Sequence, residues 1–143
     1  MKKLLVVLSV FILLFVTGCG NNVSELDVDK TVGVIESTLK NMEKVDDESL
    51  TDVYSLDLEK MDEHIIKQNN DGDLYAIIKT TKKADVKNDM SKYFEKIEKF
   101  NTNYSPERLE ILNNRVEKEI GDYLIYIVAE DAEDIYSEIV KNM

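Results

Sequence analysis

Two spacings of apolar residues alternate along the chain. Val28, Val32, Ile35, Leu39 and Met42 recur at steps of three and four, which places them on one stripe of an amphipathic helix running from Val28 to near Lys44. After the polar break at Asp46, Asp47 and Glu48, the residues Leu50, Val53, Tyr54 and Leu56 predict a second helix of at most two turns. The pattern then turns strand-like at His64-Ile65-Ile66 and from Leu74 to Thr81. The intervening Gln68 to Asp73 contains the pair Asp71-Gly72, a hairpin signal. Helical spacing returns from Ala84 to Tyr104, with Val86, Met90, Tyr93, Ile97, Phe100 and Tyr104 on one face. Ser105-Pro106-Glu107-Arg108 reads as a cap with proline at the first position of a short helix through Leu112. Arg115 to Ile120 and Tyr123 to Val128 flank Gly121-Asp122 as a second hairpin, and its second strand is apolar on both parities. Asp131 is expected to cap a last helix carrying Ala132, Ile135, Ile139, Val140 and Met143. The order ααββααββα predicts an α+β domain with a four-stranded antiparallel sheet, built from two hairpins with helices packed on one face.

The residues before this domain follow a different logic. Lys2 and Lys3 precede an apolar run from Leu4 to Val16 that only Ser9 interrupts, and Thr17-Gly18-Cys19 follows. This is the layout of an export signal with a charged start, an apolar middle and a small-residue cleavage site. Thirteen helical residues span about 20 Å, short of the roughly 30 Å hydrocarbon core of a bilayer. Val16-Thr17-Gly18-Cys19 resembles the lipobox of bacterial lipoproteins. The resemblance implies cleavage between Gly18 and Cys19 and a diacylglyceryl group on Cys19. Residues 1–18 are then a signal peptide, 19–27 a polar tether on lipidated Cys19, and 28–143 a single α+β domain. The expected location is the extracytoplasmic face of the cell membrane.

Composition narrows the function. The chain has 18 basic against 29 acidic residues, a formal net charge of −11 and a pI near 4.6. No basic footprint exists with which to neutralise phosphates, so nucleic acid is not an expected partner. Removing Lys2 and Lys3 makes the mature chain more acidic still, and anionic headgroups would repel it. Membrane attachment therefore falls to the lipid on Cys19. One cysteine and one histidine cannot supply the ligand clusters of a zinc site, and no cofactor is expected.

Candidate chemistry is sparse. Asn69, Asp71 and Gly72 imitate part of a calcium loop, but with Gly72 at its sixth position Lys67 and Ile78 fall where carboxylates are needed. The run Glu130 to Asp134 is explained by helix capping and by complementing a helix dipole. His64 lies beside Asp62 and Glu63 without a nucleophile next to it, and Ser55 and Ser105 occupy a helix end and a cap, where serine serves local hydrogen bonding. No catalytic residue and no metal ligand is assigned. If the sheet face opposite the helices is open, Tyr75, Tyr123 and Tyr126 would expose an aromatic patch suited to a peptide or glycan; otherwise these rings complete the core or pack across strands.

Tyr54-Ser55-Leu56-Asp57, the segment Leu74 to Lys79, Tyr104-x-Pro106, and Gly121-x-Tyr123 before an apolar strand and a final helix together resemble bacterial lipoproteins of domain-of-unknown-function family 4358 (DUF4358), found mainly in Firmicutes. The likeness spans most of 28–143, and Asp73 stands where the family is expected to carry Glu. The resemblance brings no activity, cofactor or catalytic residue with it. The expected role is a non-catalytic interaction module at the cell envelope, with an unidentified envelope protein as partner. The alternatives are a small-ligand or cation receptor and, third, a carboxylate-dependent envelope enzyme.

Overall fold

A computed structural model describes residues 25–143. Gly18 and Cys19 lie outside the described residues. No helix among the described residues is long and apolar enough to cross a membrane.

The elements are α1 (Val28–Thr38), β1 (Glu43–Lys44), a π-helical turn (Ser49–Val53), a 3-10 turn (Leu58–Lys60), β2 (Glu63–Gln68), β3 (Leu74–Lys79), α2 (Lys83–Tyr104), α3 (Arg108–Asn113), β4 (Val116–Ile120), β5 (Tyr123–Val128) and α4 (Ala132–Lys141). The fold is α+β with an antiparallel sheet, as expected, but the sheet has five strands in the order β1-β2-β3-β5-β4. The added strand is β1, which pairs Glu43 with Gln68 and Lys44 with Lys67. It lies within the stretch expected to be the end of α1. That helix stops at Thr38 because Leu39 turns extended and Asn41 enters the left-handed region at φ 56°, a conformation asparagine tolerates. The second expected helix is only the π-helical turn, so the helix order changes as well.

Helices cover both faces of the sheet, and the expectation of one covered face is corrected. On β3, Leu74, Ala76 and Ile78 point to one layer, joined by Leu124, Tyr126 and Val128 of β5 and by Val86, Met90, Tyr93 and Phe94 of α2. Tyr75 and Ile77, with Tyr123, Ile125 and Ile127, point to the other layer and meet Ile35, Leu39, Ile135 and Ile139 from the α1 and α4 side. Strand side chains alternate between faces, so a strand apolar on both parities must be buried on both. Every residue of β5 is buried. Leu26 is buried in the α1 side of the core and Asp27 caps α1 by accepting from Lys30 N at 3.0 Å, so the fold begins within the stretch expected to be tether.

The aromatic patch is corrected for the same reason. Tyr75, Tyr123 and Tyr126 are 0%, 6% and 4% exposed, and Tyr126 lies in the opposite layer from the other two. The Tyr75 hydroxyl donates to Glu36 Oε1 at 2.6 Å, where Lys67 Nζ also donates at 2.8 Å. Those two hydrogen bonds pull the Glu36 carboxyl below the usual glutamate range, while burial pushes the Tyr75 phenol up.

Two expected caps are absent. Asp131 stands at the N-cap of α4 but its side chain makes no capping bond, and its backbone carbonyl accepts from Ile135 N at 2.9 Å. Pro106 precedes α3 in a turn that Arg108 N closes on Ser105 O at 2.9 Å, so α3 opens at Arg108.

On β4, Glu119 accepts from Lys83 Nζ at 2.6 Å and Lys87 Nζ at 2.7 Å, and these bonds hold its carboxyl down to about 2. A carboxylate whose pKa is lowered by folding stabilises the fold above its unfolded value and loses that contribution as the pH falls through the folded one. Here the contribution is complete at neutral pH and fades between 4.5 and about 2. Carboxyl NMR titration should put the Glu119 midpoint near the lower figure. The paired substitution Lys83→Met and Lys87→Met should return it toward ordinary glutamate, and a midpoint that the pair leaves unmoved would refute the cause.

Candidate cleft at the end of the sheet

The 22 residues of α2 make a helix about 33 Å long, whereas six-residue strands span about 20 Å. Its first half is therefore seated on the sheet and its last turns overhang. Val86, Met90, Tyr93 and Phe94 are buried, but Phe100 and Tyr104 on the same expected stripe are 59% and 73% exposed. Their rings lie 4.9 Å apart between centroids.

Below this overhang is a cleft of about 410 Å³. Leu74, Ile97, Leu112 and Val128 give it apolar lining, and Val53, Tyr54 and Phe100 form further walls. Tyr54 packs on Tyr93 at 4.7 Å between ring centroids, so the cleft wall continues into the aromatic core through Phe94 to Tyr126. The Tyr93 hydroxyl is buried with no hydrogen-bond partner among the described residues, and burial pushes its phenol up.

Polar groups sit at defined places on this lining. Lys96 Nζ donates to Val53 O and Ser55 Oγ, both at 2.8 Å. Ser55 holds a left-handed backbone at φ 59°. Arg108 Nη2 donates to Asp73 Oδ1 at 2.9 Å, and Asn69 Nδ2 donates to Asp73 Oδ2 at 3.1 Å. The guanidinium lies against the β2–β3 turn because residue 72 is glycine. At φ 88° a side chain there would be strained, and its Cβ would stand 3.0 Å from Arg108 Nε. Asn69 Oδ1 is occupied in building that turn, accepting from Asp71 N at 3.1 Å and Asp73 N at 2.9 Å.

The other residues considered for chemistry are dispersed. His64 Nε2 meets Asp47 Oδ1 at 3.2 Å, rather than Asp62 or Glu63. The hydrogen bond from His64, aided by Lys44, draws the Asp47 carboxyl down. Ser55 belongs to Lys96 and Ser105 to the turn before α3. No group of three or more metal-ligating side chains occurs among the described residues. A larger groove of about 720 Å³ between α1 and α4 takes in Asp131, Asp134 and Glu138, carboxylates of the same sign as the chain as a whole.

The cleft was not visible as a motif, because its lining comes from separate stretches at 53–54, 68–74, 96–101, 108–112 and 128. The available signal was length: the apolar stripe of α2 outruns the strands it covers. A family model described as Domain of unknown function (DUF4358) matches residues 36–129. No curated protein and no solved structure matches the chain.

Proposed function

The chain belongs to the family described as domain of unknown function DUF4358, and from that starting point we propose that it is a non-catalytic binding module, lipid-anchored through Cys19 at the extracytoplasmic face of the cell membrane, with the cleft below α2 as its binding element. The observation that carries this reading is the overhang of α2, which leaves Phe100 and Tyr104 exposed beside an apolar cleft. A volume of about 410 Å³ falls within the roughly 300–1,000 Å³ usual for small-molecule sites. With both sheet faces covered, the cleft supports the receptor alternative over a docking patch on the sheet. The anchor rests on the charged, apolar and small-residue layout that ends in Cys19. The seven residue-to-residue steps from Cys19 to Leu26 reach at most about 25 Å, which would hold the domain close to the bilayer surface.

Photo-crosslinking of the full chain in cells tests the binding element. A photoreactive residue in place of Phe100 should yield adducts in clear excess over the same residue in place of Ser137, which is exposed on α4. Equal adduct patterns from the two positions would overturn the cleft as the binding element.

A further inference from the structure

We infer that the cleft takes a small carboxylate carried on an apolar body, with Lys96 as the principal contact for the anion; the inference rests on the cleft being the binding element. Its basis is a local reversal of charge. Across the chain 29 acidic residues outnumber 18 basic ones, yet Lys96 and Arg108 are the only charged side chains lining the cleft among the described residues. An unselected patch on so acidic a surface would carry carboxylates, as the α1–α4 groove does with Asp131, Asp134 and Glu138 against the single cation Lys30.

The two cations differ in what they have left to give. Arg108 is partly neutralised by Asp73 just outside the cleft lining. Lys96 bonds only neutral oxygens, those of Val53 and Ser55, and no carboxylate among the described residues approaches it within ion-pair distance. An ammonium has three donors, so one remains uncommitted, and its charge is uncompensated. One free ammonium beside one half-neutralised guanidinium balances a single negative charge, which favours a monocarboxylate over a phosphate dianion. The rest of the ligand must then match Leu74, Ile97, Leu112 and Val128, with Tyr54 and Phe100 offering ring faces and edges.

Calorimetric titration of the full chain in nonionic detergent with phenylbutanoate, phenylbutanol, phenylbutylamine and acetate tests this. Phenylbutanoate should bind at least about tenfold more tightly than the alcohol or the amine, the size of one charge-assisted hydrogen bond. Acetate should bind far more weakly for want of an apolar body. Lys96→Gln should erase the advantage of the carboxylate over the alcohol. Phe100→Ala, at an exposed position that the core does not need, should weaken all three phenyl probes together. If the three phenyl probes bind alike to the unaltered chain while Phe100→Ala still weakens them, the carboxylate assignment fails and the cleft stands. If no phenyl probe binds, or neither substitution alters binding, both fail.

Discussion

Truncating Ile77 or Ile78 to alanine is expected to destabilise the domain by about 2–5 kcal/mol in either case, the range for deleting a buried branched side chain. The two residues are neighbours on β3 and point in opposite directions, Ile77 into the α1–α4 layer and Ile78 into the α2 layer, at 2% and 0% exposure. Both sit on a strand paired on each side, Ile77 with Ile65 and Ile125, Ile78 with His64 and Leu124. Neither substitution touches a ladder hydrogen bond, so the loss is one of packing and of the cavity left behind. In a sheet with one open face, one of the pair would behave as a surface position and change stability by no more than about 0.5 kcal/mol. Urea titration separates the cases. Two large drops in midpoint at unchanged slope support the three-layer arrangement, and one large drop beside one negligible drop would overturn it. A typical domain has only about 5–15 kcal/mol in hand, so both losses should be plain.

The same two residues explain which parts of the fold were legible. Leu74 to Lys79 and Tyr123 to Val128 are apolar on both parities, which marks them as central, and Asp71-Gly72 and Gly121-Asp122 mark their turns; both glycines hold positive φ. What the strand pattern does not state is which helix covers which face. The expectation of a single covered face fails there, because a strand apolar on both parities requires two. The stripe of α2 predicts its span to within one residue because it persists for about five turns. β1 escaped notice because Glu43 and Lys44 are both exposed and two residues show no alternation. The end of α1 was overrun for a subtler reason: Leu39 stays buried after the helix has stopped, so an extended residue keeps up the helical spacing. The overhang is legible as length, but the polar lining of the cleft is not. Lys96 and Arg108 are twelve positions apart in sequence and meet one volume only because α3 folds back beside the overhang of α2.

Replacing Cys19 with serine is expected to abolish lipid labelling and to leave the chain at its precursor length. A thioether to diacylglycerol needs the cysteine sulfur, and Cys19 is the one cysteine in the chain. Each buried methylene is worth about 0.8 kcal/mol, so two acyl chains hold a protein on a bilayer where a single chain holds it only marginally. Surface charge would not replace them, since the net charge of −11 would become more negative if cleavage removed Lys2 and Lys3. Membrane fractionation alone would mislead, however. The unprocessed variant keeps the apolar run from Leu4 to Val16, about 20 Å of helix if helical, which could retain the precursor at the bilayer without any lipid. The decisive readouts are therefore incorporation of a labelled acyl chain and the mass lost when residues 1–18 are removed. Loss of both in Cys19→Ser, with both present in the unaltered chain, supports the anchor; normal processing and labelling of the variant would sink it. Because the core starts at Leu26, the fold itself should melt at the same temperature with or without the lipid, and a large difference between the two would mean that the anchor also shapes the domain.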